Sequence, residues 1–274
     1  MADQSRPAGR RGQPAQPAQA AAAWQVRSVD AEAAARAALA GDDTATPKAA
    51  TGAVEMLRAL RVARRSAVKA RSQAANQLDS LVVTAPDQLR AQLRQLPAAR
   101  LVEVAAALRP GELNSPLAAV KLALRELARR HQALSAEIDR LDAHIGKLTS
   151  TTAPELLARR GVGAQVATAL LVAAGDNPTR LASEAAFAAL CGASPIEASS
   201  GKTVRHRLNR GGDRQANNAL WTIVVTRMAY DERTRRYVER RTTEGKSKKE
   251  IIRCLKRYVA REVYRDVRAT ALST

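Results

Sequence analysis

A serine set beside a glycine and faced by several guanidiniums is equipped to attack phosphorus. Residues 190–221 read LCGASPIEASSGKTVRHRLNRGGDRQANNALW, with Ser199 and Ser200 directly before Gly201. Gly201 has no side chain to block approach to the neighbouring hydroxyl. Lys202, Arg205, Arg207, Arg210 and Arg214 follow. Guanidiniums grip phosphate oxygens in pairs and offset charge that builds in a transition state. The same arrangement also suits a loop that only holds phosphates. A serine hydroxyl is a weak nucleophile, and a base or metal must activate it. His206 is the nearest imidazole in the sequence.

Several elements must position this stretch. Downstream, Gly211-Gly212-Asp213 leads into an amphipathic helix in which Trp221, Val224, Val225 and Met228 are expected to face the core. Gln215, Asn217 and Asn218 open its other side, where their amides either contact nucleic acid or cap and hydrate the helix start. Upstream, Ser183 is placed to cap a helix running to about Cys191, with Glu184 in its first turn. Residues 154–174 read as a helix-hairpin-helix with Gly161-Val162-Gly163 at the turn. Gly161 suits a plain helix C-cap. Alternatively, the amides of Gly161 and Gly163 and the second helix's start hold a DNA phosphate without reading sequence.

The stretch resembles the C-terminal transposase domain of the 110/116/902 insertion-sequence family, whose relatives include the Piv-type DNA invertases. The resemblance rests on Gly192-Ala193-Ser194-Pro195, Ser199-Ser200-Gly201-Lys202, Arg210-Gly211-Gly212-Asp213-Arg214 and Asn217-Asn218-Ala219-Leu220-Trp221. It implies a DNA transposase or site-specific recombinase with Ser200 as nucleophile and Ser199 as the alternate. His206 is disfavoured as the base, because family members usually carry other residues there. Lys202, Arg205, Arg207, Arg210 and Arg214 would then bind DNA phosphates. It further implies a RuvC-like acidic domain binding Mg²⁺ and a structured guide RNA. Asp30 matches the last of that domain's four acidic ligands, but Arg27 stands where another is expected. One carboxylate cannot hold a Mg²⁺ pair, so Asp30 reads as a vestigial ligand or a helix-start carboxylate. The expectation is a truncated family member, either still active or a binding remnant that cannot cut. A structural nucleoid-type DNA binder is a third, weaker reading.

Composition agrees with a nucleic-acid partner. The 274-residue chain carries a net charge of +19, which calls for a polyanion. Aromatics make up only 3%, too few for a basic membrane-surface anchor or for extended stacking on single strands. From Ser199 to Arg241, eleven Lys or Arg stand against four Asp or Glu, a stretch suited to phosphates. Cys191 and Cys254 are far apart and form no zinc or disulfide pattern. No apolar run approaches a membrane span, and a cytoplasmic, nucleoid-associated bacterial protein is expected.

The fold expected is all-α, with a long coiled-coil helical hairpin joined to a compact helical transposase domain that contains the helix-hairpin-helix. Residues 1–28 are Ala, Pro, Gln and Arg-rich, a composition that favours disorder. Residues 29–48 read as a remnant helix and linker, 49–150 as the helical coiled-coil region and 151–274 as the transposase domain. In the 52–83 helix the seam is drawn through Met56, Leu60, Ala63, Ala67, Ala70, Ala74 and Leu81. Its outer face carries Arg58, Arg61, Arg64, Arg65, Lys69 and Arg71, either solvated or following a nucleic-acid backbone. Residues 116–148 repeat apolar side chains every three or four positions, with His131 in the seam as a register-setting residue. That repeat could pair within the chain or build a homodimer or higher homo-oligomer. The final helix, 248–266, opens on the capping box Ser247-Glu250 and is expected to expose Arg253, Lys256, Arg257 and Arg261.

Overall fold

In the computed structural model, residues 50–177, 181–197, 206, 207, 209 and 211–272 are described, together with Glu32, Arg36, Leu39, Ala40 and Lys48. Residues 1–46 form a unit separate from 47–274. In the first unit Glu32, Arg36, Leu39 and Ala40 are helical, and Arg36 pairs with Glu32 at 2.6 Å. Asp30 lies outside the described residues.

The second unit is mostly helical. Helix α1 spans Ala53–Val83, followed by the short α2 (Asp87–Leu93) and α3 (Ala98–Ala106). Helix α4 then runs the 37 residues Pro116–Thr152. Its start is fixed locally: the Ser115 hydroxyl accepts from the Ala118 amide, and Pro116 occupies the first turn, where its missing N–H costs nothing. The start of α1 is capped from a distance, since the Asp176 carboxylate accepts from the amides of Gly52 and Val54. Helix α1 runs antiparallel to α4. Leu57 shares a core with Ile145, Arg64 is paired with Asp142, and Leu78 shares a second core with Leu124 and Ala128. That second core also takes Leu89 and Leu93 of α2 and Leu101 and Ala105 of α3.

The seam of α1 follows the expected one only in part. Met56 and Ala63 are exposed, while Val54, Leu57, Ala67, Ala74, Leu78 and Val82 are buried. Alanine contributes little buried area, so Leu57 and Leu78 set the register, with Ala67 and Ala74 on the same buried face. In α4 the expected face holds, with Leu124, Ile138 and Ile145 buried, although Leu117 stays outside. His131 is partly buried, and desolvation together with Arg71 lowers its pKa.

The main core gathers the remaining helices: α5 (Pro154–Leu157), α6 (Ala164–Ala174), α7 (Glu184–Leu190), α8 (Arg214–Tyr230), α9 (Glu232–Thr243) and α10 (Lys248–Leu272). Helix α6 is buried on nearly every side, which its sequence AQVATALLVAA allows. Its Leu170 and, from other helices of the same core, Phe187, Leu220, Ile223 and Ile251 are fully buried. The all-α expectation is met except for one short ribbon, in which β1 (Ile196–Glu197) pairs antiparallel with β2 (His206–Arg207). Among the described residues no helix is long and apolar enough to cross a membrane.

Candidate nucleic-acid interface

The ribbon holds the two ends of the serine segment side by side, with Ile196 opposite Arg207 and Glu197 opposite His206. Ser199, Ser200, Lys202, Arg205 and Arg210 lie outside the described residues. Of the five cations that follow the serines, Arg207 and Arg214 are described, and both are exposed.

Behind the ribbon is a corner built from two glycines. Helix α7 ends at Cys191, and Gly192 turns the chain with a φ of +63°, a conformation glycine adopts without strain. Gly212 packs its backbone directly on Gly192. A Cβ at position 212 would fall on the Gly192 nitrogen and Cα and come within 2.9 Å of the Cys191 carbonyl carbon. Asp213 then closes the turn: its amide donates to the Leu190 carbonyl, and its carboxylate caps α8 by accepting from the amides of Gln215 and Ala216.

Two of the amides left open by the sequence are used internally. The Asn217 side chain donates to the carbonyls of Cys191 and Gly192 at 2.8 and 3.2 Å, tying α8 to the corner. Its oxygen accepts from Lys256 Nζ at 2.9 Å. Lys256 was expected outside but is only 6% exposed, and burial followed by Arg253 lowers its pKa. A lone lysine on the inner face of α10 gives no periodic signal, so this link is invisible in the sequence. Gln215 accepts from Arg61, which also donates to the Gln165 carbonyl. Asn218 alone of the three is exposed. Burial raises the Cys191 thiol to about 12, with Asp213 adding to the effect, so it stays protonated and unreactive.

The apolar face of α8 also needs correction. Ala216, Ala219, Leu220, Ile223 and Val224 are buried, whereas Trp221 is 46% exposed and Val225 also faces outward. Trp221, Arg214 and Asn218 line a pocket of about 420 Å³ together with Gly192, Gly212, Asn209 and Asn217. Leu220 and Ile223 on the buried stripe fill the core instead of the indole.

Many of the basic side chains serve the fold. Arg227, expected among the phosphate contacts, is bidentate to Glu262 at 2.7 and 2.9 Å and also donates to the Arg160 carbonyl. Arg159 holds Asp266 in the same way, and Arg257 and Arg261 converge on Glu184. On α1, Arg58 pairs with Glu55, Arg64 with Asp142, and Arg61 reaches across to α6 and α8. That face is therefore half joint and half free surface, with Arg65 and Lys69 left exposed.

These pairs predict acid sensitivity. Hydrogen bonds from Arg227 hold the Glu262 carboxyl below its ordinary 4.5, and those from Arg257 do the same for Glu184. A carboxyl whose pKa falls on folding stabilises the fold above its unfolded value and loses that contribution as pH drops through the folded value. The thermal midpoint should thus be level from about pH 7 to 5 and decline below about 4.5. Glu262→Gln should start lower and decline less steeply over the same range, as followed by circular dichroism.

The turn at Gly161 has a φ of +81°, and a Cβ there would meet the Ile223 carbonyl of α8 at 3.3 Å. Its side is thus turned to the core. Gly163, the residue before α6, is exposed with open space beside it. The helix before the turn has only four residues, Pro154–Leu157. Among the described residues no three His, Cys, Asp or Glu side chains converge as metal ligands.

Residues 153–239, which contain the corner, the ribbon and α6 to α8, match the family described as Transposase IS116/IS110/IS902 family. The similarity is thus to a transposase domain, and it lies within the helical scaffold. It is also 30% identical over 139 residues to the Insertion element IS110 uncharacterized 43.6 kDa protein of Streptomyces coelicolor. That similarity covers 50% of this chain and 33% of the relative, so the chain spans about a third of the length of the curated relative it matches.

Proposed function

We propose that the domain acts in DNA transposition as a serine-using recombinase. The reading is carried by one observation: the family match at 153–239 encloses a rigid glycine corner and a ribbon that together hold both ends of the Ser199-Ser200-Gly201 segment. In the proposed step the Ser200 oxygen bonds to a DNA phosphorus, and the bond from that phosphorus to a deoxyribose oxygen breaks. The hydroxyl proton passes to a base, and the leaving sugar oxygen takes up a proton. Religation runs the exchange backwards, so the phosphodiester energy is conserved and no nucleotide triphosphate is needed. Arg207 and Arg214, exposed on either side of the corner, support phosphate clamping. Lys202, Arg205 and Arg210 join them in this proposal, with Ser199 as the alternate nucleophile.

The hairpin glycine Gly163 supports a sequence-independent phosphate contact, since its backbone is open. Gly161 instead sets the turn that presents it. The α1–α4 pair is read as a coiled-coil hairpin that offers a surface for a second copy of the chain. The resemblance adds a structured guide RNA as the partner that selects sites.

The test uses nicked suicide DNA, on which the released strand end diffuses away and any covalent intermediate accumulates. The full chain should yield a protease-sensitive, slow-migrating DNA band, and Ser200→Ala should abolish it while binding DNA within about threefold, because one neutral hydroxyl adds little to contacts dominated by phosphates. A band of equal intensity in Ser200→Ala and in the Ser199→Ala/Ser200→Ala double variant would refute the serine mechanism.

A further inference from the structure

Trp221 is out of place for its type. Tryptophan usually contributes its large area to a core, yet here the indole stands half exposed on the outward stripe Arg214–Asn218–Trp221 of α8. It forms one wall of the 420 Å³ pocket, a volume within the range of about 300–1,000 Å³ that takes a single small molecule or group. Gly192 and Gly212 also line it, beside Asn209 and Asn217, so part of the lining is bare backbone that a flat ligand can approach closely. The wall itself is rigid. Asn217 and Lys256 pin α8 to the corner, and Asp213 caps its first turn.

We propose that this pocket receives one unpaired nucleobase of the DNA strand, stacked on the Trp221 indole. The ligand follows from three properties. A flat aromatic face binds any base by stacking. The Asn218 amide carries both a donor and an acceptor at the pocket edge, which suits a base edge exposed by unpairing. Arg214 supplies a cation for the phosphate attached to that base. Because a paired base is hidden within its stack, the base must leave the duplex to enter. A low aromatic content excludes a long stacking platform but leaves room for a one-base pocket. The proposal rests on the DNA reading of this domain, and it adds a strand-opening contact beside the corner that holds the serine segment.

The test follows the indole directly. The full chain bearing Trp24→Phe retains Trp221 as its single tryptophan. It is titrated with a single-stranded DNA dodecamer, the same dodecamer made abasic, the blunt duplex, and the matching RNA. The intact single strand should quench the indole, whereas the abasic strand and the duplex should bind with little quenching. In the natural background, Trp221→Ala should weaken binding of the intact strand about five- to 100-fold, and Trp221→Phe should stay within about threefold, since a benzene ring still stacks. The exposed position keeps both variants folded, which their thermal midpoints check. Equal quenching by abasic and intact strands, or unchanged affinity in Trp221→Ala, overturns the pocket. Tighter binding and stronger quenching by RNA overturns the assignment to DNA. A chain that binds DNA with no indole response loses the pocket and keeps the DNA reading, while one that binds no DNA loses both.

Discussion

Gly212→Ala should lower the thermal midpoint by roughly 2–12 °C and abolish covalent DNA adducts at temperatures where the variant is still folded. The first effect follows from overpacking. The new methyl would occupy the space of the Gly192 backbone, and Gly192 cannot yield easily, because its carbonyl and that of Cys191 are tied to Asn217. Overpacking of this kind costs about 1–3 kcal/mol, and a domain of 150–250 residues loses about 2–4 °C per kcal/mol. The second effect follows from geometry. The two glycine backbones set the distance between the end of α7 and the start of α8, and the ribbon leaves from that junction. Prising them apart moves both ends of the serine segment. Differential scanning fluorimetry and the suicide-DNA assay read the two effects separately. A variant with normal stability and normal adduct yield would contradict the tight corner.

Phe187→Ala should have the largest effect on stability, about 3–5 kcal/mol by analogy with other large-to-small changes at fully buried aromatic sites. Phe187 is 0% exposed in α7, and its ring lies 5.9 Å from that of Tyr264 in α10. The Tyr264 hydroxyl in turn donates to the Leu181 carbonyl at 2.8 Å, anchoring the segment that enters α7. Removing the ring thus leaves a cavity and loosens the anchor of the helix that ends at the glycine corner. Urea titration followed by circular dichroism should show the midpoint falling with little change in slope. Phe187→Leu, which retains most of the volume, should cost less than half as much. If the two variants were equally stable, the buried ring would not be supporting α7.

What the sequence revealed depended on range. Local chemistry was legible: Ser183 caps α7, and Ser247 and Glu250 bond reciprocally at the start of α10. These signals lie within one turn of the residues they control. The apolar period of α4 was equally readable, because Leu124, Ile138 and Ile145 are large enough to dictate which face is buried. In α1 the alanines carried little weight: Ala67 and Ala74 are buried as expected, but the large side chains beside them are Leu57 and Leu78. In α8 more than one face is apolar, and the stripe with Leu220 and Ile223, not the one with Trp221, is the one buried.

Long-range pairing was hidden altogether. Nothing local to Asp176 shows that it caps α1, and nothing near Lys256 shows that it supports Asn217. The two-residue strands of the ribbon are too short to give an alternating pattern. The charge count was informative about the chain but not about individual residues. Arg227, Arg159 and Arg64 are bound to carboxylates, so the cations that remain for phosphate are fewer than the total suggests.

The most direct measurement of the central claim is mass spectrometry of trapped protein–DNA adduct after nuclease and trypsin digestion. The peptide spanning residues 181–202 should carry the added nucleotide phosphate, with fragment ions assigning it to Ser200 or, failing that, Ser199. An adduct mapped to any other residue, or a reaction that joins strands with no adduct at that peptide, would contradict the account.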